Sequence, residues 1–191
     1  MYEEFQVHKE ETVASQEHTR TRRKLAAIGA VLTLGLVFGG VTMGTARAQE
    51  PPIAVELLTG RAVFTDDVDA QIKVKLDGRA TLTLNMDDPG RTVVAKLTIQ
   101  PGAQFPWHTH PGPVVVNVAS GELVYVNASD CVHRPYPAGT AFIDPGRGNV
   151  HTAYNPSSSQ ETVLIATFFE ATASGPLTIT AGVTPPADCV L

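Results

Sequence analysis

Histidine placement carries most of the chemistry legible in this chain. His108 and His110 close the run Gly102-Ala103-Gln104-Phe105-Pro106-Trp107-His108-Thr109-His110. On an extended segment, side chains two residues apart point to the same face, so these two imidazoles can bite one metal ion together. A second compact segment, Gly148-Asn149-Val150-His151-Thr152-Ala153-Tyr154-Asn155, contains His151. Gln104, Tyr125 and Tyr154 are candidates to line a pocket nearby, and Trp107 should point away from the two histidines into the core. His133, two residues after Cys131, reads as a surface strand residue. No general base or nucleophile stands out beside either segment.

The elements around these segments are strands. Residues 71–76 alternate polar and apolar, Asp77-Gly78 supplies a turn, and residues 80–85 alternate back, which is the pattern of a β-hairpin. Residues 92–99, 114–118, 123–126, 140–143 and 162–169 continue in the same period, separated by Gly, Pro, Asn and Ser clusters. The last is apolar at nearly every position, as a strand covered on both faces would be. No window beyond residue 50 has helical periodicity. Many short strands at regular spacing predict an all-β sandwich or barrel.

The two histidine segments resemble the paired motifs of the cupin superfamily. In the first, Gly102 precedes His108-Thr109-His110 by five residues, and Gly121 closes the motif. In the second, Gly139, Pro145, Gly148, His151 and Asn155 follow in order, with one extra residue between Pro145 and Gly148. The resemblance implies a conical jelly-roll barrel with His108, His110 and His151 as metal ligands. It also implies a glutamate ligand, and here that position is Val114, which cannot coordinate. Three neutral imidazoles would leave a divalent ion its full positive charge, and they suit Fe, Zn, Ni or Cu better than Mg or Ca. Family members of this kind include dioxygenases, so an oxygenase acting on a small enolic or phenolic compound is one expectation. A non-catalytic barrel holding a small ligand or a metal, or one that has lost its ion, is the other. An open mouth beside the imidazoles would favour the enzyme; a mouth closed by apolar side chains would favour the binding barrel. A homodimer is expected from the family alone.

Composition narrows the partners. The chain carries 14 Lys+Arg against 19 Asp+Glu, a net charge of -5. That lacks the clustered basic footprint needed to neutralise nucleic-acid phosphates, so a small-molecule ligand is the expected partner. Residues 1–48 read as a leader of helical or disordered character. The basic run Arg20-Thr21-Arg22-Arg23-Lys24 precedes an uncharged stretch over residues 25–43, then Ala46-Arg47-Ala48 presents a cleavage site. Arg22-Arg23 also fits a twin-arginine signal. Export to a periplasmic, envelope or secreted location follows, and an uncleaved leader would be the one membrane contact. Residues 49–56 read as a linker and residues 57–191 as the barrel with a C-terminal tail. Cys131 and Cys189, two cysteines in an exported chain, read as one disulfide.

Overall fold

The computed structural model describes residues 51–191, and the stretch over residues 1–48, read as a leader, lies outside the described residues. The described residues form no helix. They form strands β1 (Ile53–Leu57), β2 (Ala62–Val63), β3 (Asp69–Val74), β4 (Leu82–Asp87), β5 (Arg91–Ile99) and β6 (Val114–Ser120). After these come β7 (Glu122–Asn127), β8 (His133–Pro137), β9 (Ala141–Asp144), β10 (His151–Tyr154) and β11 (Thr162–Phe168). The larger sheet runs in the order β1-β5-β11-β6-β9, with β2 also paired to β5. The smaller sheet is β10-β7-β8, and β3 and β4 form their own antiparallel pair.

Both sheets put alternate residues into one core. Val93, Ala95, Leu97 and Ile99 of β5 point inward, as do Val114, Val116 and Val118 of β6 and Leu164, Ala166 and Phe168 of β11. Leu123 and Tyr125 of β7 and Ala153 of β10 meet them from the smaller sheet. The all-β barrel read from the sequence is the fold. Apolar burial of this kind is the main stabilising term, worth roughly 25 cal/mol per Å² removed from water.

Two expectations are corrected. The stretch over residues 49–56, read as a linker, already contains β1, because Ile53 pairs with Ile99 and Leu57 with Ala95 along the open edge of β5. β11 is not buried on both faces: Val163, Ile165 and Thr167 on its outer side are only half-buried. Val163 and Ile165 are apolar there because β11 lies between β5 and β6, where neighbouring side chains partly shield that face from water.

The disulfide reading matches the structure. Cys131 and Cys189 are bridged with their Cα atoms 5.1 Å apart. His133 is exposed on β8, as expected, and its Nε2 hydrogen-bonds the Val190 carbonyl of the same tail at 2.9 Å.

Candidate metal centre

A bulge sets up the first histidine segment. Phe105 N–H donates to the Ala153 carbonyl and His108 N–H donates to the His151 carbonyl, both at 2.9 Å. Three residues on one side thus span two on the other, the count of a β-bulge. Pro106, which has no N–H to donate, sits in the bulge. The extra residue shifts the phase, so Phe105 and His108 both face inward while Gln104 and Tyr154 bridge on the outer side. His151 N–H donates back to the His108 carbonyl, so the two histidine segments are paired directly at their ligands.

His108, His110 and His151 come together in the core at 4%, 7% and 4% exposure. Their ligand atoms all lie within 4.8 Å of one another, and the group could hold a metal ion. Each ring is anchored through Nδ1. His108 Nδ1–H donates to the Pro106 carbonyl and His110 Nδ1–H to the Leu177 carbonyl, both at 2.7 Å. His151 Nδ1 lies 3.4 Å from the Asn149 carbonyl and nearer, at 3.1 Å, to Asp144 Oδ2. A carbonyl only accepts, so Nδ1 carries the proton and Nε2 of each ring keeps its lone pair for an ion.

The environment keeps that lone pair free. Burial, with the neighbouring histidines, pushes His108 and His151 down to about 3. Burial lowers His110 too. At neutral pH all three imidazoles are neutral, as nitrogen ligands to a metal must be.

The cavity beside them measures about 50 Å³. Its wall is apolar, from Leu97, Phe105, Val114, Val116, Leu123, Phe142, Ala153, Leu164, Ala166 and Phe168. Besides the histidines, its polar members are Tyr125 and Asp144. About 10 to 15 Å³ of such space holds one water, so the cavity admits an ion with a few small ligand atoms.

The pocket candidates divide. Tyr125 lines the cavity, its ring stacked on His151 with centroids 4.9 Å apart. Gln104 and Tyr154 do not line it. Gln104 is exposed and Tyr154 turns outward to His133 Nδ1 at 3.0 Å, both on the far side of the bulge. Trp107 is half-buried outside the core cluster.

The cupin domain family matches residues 95–168, which span β5 to β11 and hold all three histidines. Residues 95–168 are a cupin domain. Among solved structures, the chain is similar to the polyketide cyclase RemF from Streptomyces resistomycificus, with 16% identity and a TM-score of 0.41, covering 50% of this chain and 63% of that one. It is similar to KdgF from Halomonas sp. at 16% identity and a TM-score of 0.41, covering 66% and 87%. It is also similar to a cupin-like protein from Thermotoga maritima at 28% identity and a TM-score of 0.36, covering 40% and 55%. This chain thus spans less than two thirds of the length of the first and third. No curated protein matches the chain.

Within the cupin frame, Val114 faces the cavity at the position of the family's glutamate, and it is apolar as read. The reading that no acid-base group stands beside the histidines is corrected by Asp144. Ending the strand at residue 143 left Asp144 in the turn, whereas β9 runs one residue further and its alternation carries Phe142 and Asp144 both inward. The signal was the period-two spacing from Phe142, one step past the assigned end.

Proposed function

We propose that this is an exported metalloprotein whose cupin domain holds one divalent transition metal, Fe, Zn, Ni or Cu, through His108, His110 and His151. The observation that carries the reading is the convergence of three buried, neutral imidazoles, each tethered at Nδ1 and free at Nε2. Burying three imidazoles without a ligand sacrifices their hydration, which costs about 1 to 3 kcal/mol for each unpaired polar group. A bound ion turns that cost into coordination energy, and it would supply a Lewis-acid centre there. The disulfide supports an oxidising compartment and so the export read from the leader.

The cavity favours the binding reading over an oxygenase acting on an enolic or phenolic compound. A space of about 50 Å³ lined mainly by apolar side chains is small beside the roughly 300 to 1,000 Å³ of drug-sized ligand sites, and it suits ligands smaller than a ring next to an ion. Ligands of water or dioxygen size fit.

Elemental analysis of the protein purified from its export compartment, without chelator or affinity tag, tests this. About one equivalent of Fe, Zn, Ni or Cu is expected, and its loss in the His151→Ala variant. Metal below a tenth of an equivalent, before and after reconstitution, would refute the proposal.

A further inference from the structure

The cupin position that would carry a carboxylate ligand is Val114, yet a carboxylate still reaches the site. Val114 on β6 pairs directly with Asp144 on β9. Residues directly opposite in an antiparallel pair share one face, so Asp144 enters the same wall from the neighbouring strand. It is 1% exposed.

A buried carboxylate is costly unless its oxygens are satisfied and its charge is matched. Its oxygens are satisfied. Oδ1 accepts the Gly146 N–H at 2.7 Å, and Oδ2 accepts the Tyr125 hydroxyl at 2.6 Å and Asn149 Nδ2 at 3.0 Å. Burial and the Asp144 carboxylate hold the Tyr125 phenol well above its ordinary range, so it stays a donor. Its charge is not matched by the protein: among the described residues Asp144 pairs with no Lys or Arg, only with His151 Nδ1 at 3.1 Å. A cation on the far nitrogen of that ring would complete the balance.

The three rings also differ. His108 and His110 rest on neutral backbone carbonyls alone, whereas His151 Nδ1 meets both the Asn149 carbonyl at 3.4 Å and, nearer at 3.1 Å, the Asp144 carboxylate. Tyr125 clamps the face of the His151 ring while donating to Asp144, so one side chain orders both partners.

We infer that Asp144 is the positioning residue of the metal centre, holding His151 from its Nδ1 side and returning, one strand away, the negative charge missing at Val114. This deepens the metal-binding reading and rests on it. A carboxylate behind a ligating imidazole fixes the ring's tautomer and raises its basicity, and removing such a partner lowers metal affinity by about 10- to 100-fold.

The test uses the mature, disulfide-intact protein stripped of metal, with Co²⁺ as the probe. Affinity is read by competition with a chromophoric chelator, geometry by the visible Co²⁺ absorption. Asp144→Asn keeps the size and loses the charge. It is expected to weaken Co²⁺ binding about 10- to 100-fold and to shift the absorption. Tyr125→Phe, which removes only the hydroxyl, should move both readouts the same way by less, and it serves if Asp144→Asn does not fold. Wild-type affinity and an unchanged spectrum in these variants, alongside one equivalent of Co²⁺ on the wild type, would overturn the inference alone. A wild type that binds no Co²⁺ would overturn the metal reading and this inference with it.

Discussion

Acidifying the metal-free protein should unfold it well above the pH at which carboxylates titrate. In the unfolded chain a histidine takes up its proton near pH 6.5, whereas folded His108 and His151 resist until about 3. Across that window the unfolded state binds more protons, so stability is greatest above 6.5 and is lost as pH falls. Each histidine contributes about 1.4 kcal/mol per pH unit. Between pH 6.5 and 5 the two together therefore cost about 4 kcal/mol, a large part of the 5 to 15 kcal/mol typical of a domain. His110, lowered by burial as well, acts in the same direction. Asp130, held below its usual range by Arg134, loses its contribution only at lower pH and does not confuse the window. Urea unfolding of chelator-treated protein reads the effect directly. With a slope of about 2 kcal/mol per molar urea, the midpoint should fall by about 2 M between pH 7 and 5. A bound ion excludes protons from the same nitrogens, so saturating metal should raise the curve and leave its slope in place. A midpoint that stays constant from pH 7 to 5 would refute the reasoning, because it would mean the imidazoles are hydrated and not buried.

Two further outcomes test the frame around the site. Replacing both Cys131 and Cys189 with Ser opens a bridge that spans 58 residues in sequence. It should cost about 4 kcal/mol and lower the melting temperature by roughly 10 °C, measured by calorimetry; a change under about 2 °C would show that the tail holds without the bridge. Gly146 sits at φ +60° with the Gly112 carbonyl oxygen 1.9 Å from where a Cβ would stand. Gly146→Ala should cost about 3 kcal/mol by chemical denaturation, whereas Gly60→Ala, with open space around it, should stay within about 0.5. Equal effects of the two substitutions would contradict this packing of the motif loops.

Much of this was legible in the residues. Period-two alternation in residues 92–99 and 114–118 yields strands because burying alternate side chains requires an extended backbone, whatever the partner strand. The spacing of His108 and His110 put both on one face for the same reason, and Cys131 with Cys189 required only an oxidising compartment. Gln104 was misplaced because a bulge at Pro106-Trp107 reverses inside and outside, and a one-residue phase change is invisible without the partner strand; Tyr154 faces outward by plain alternation from His151 and Ala153. Asp144 was missed because strand ends depend on pairing: β9 reaches it only because Val114 stands opposite.

The sequence by itself determined the all-β class, the three imidazoles, the apolar residue at Val114 and the cysteine pair, since each follows from residue type and local spacing. The tertiary structure alone decided that Asp144 lies behind His151, that Leu177 from the tail holds His110, and that the cavity beside the histidines measures about 50 Å³. Those facts join residues far apart in the chain, and their contacts depend on strand register, which local pattern does not contain.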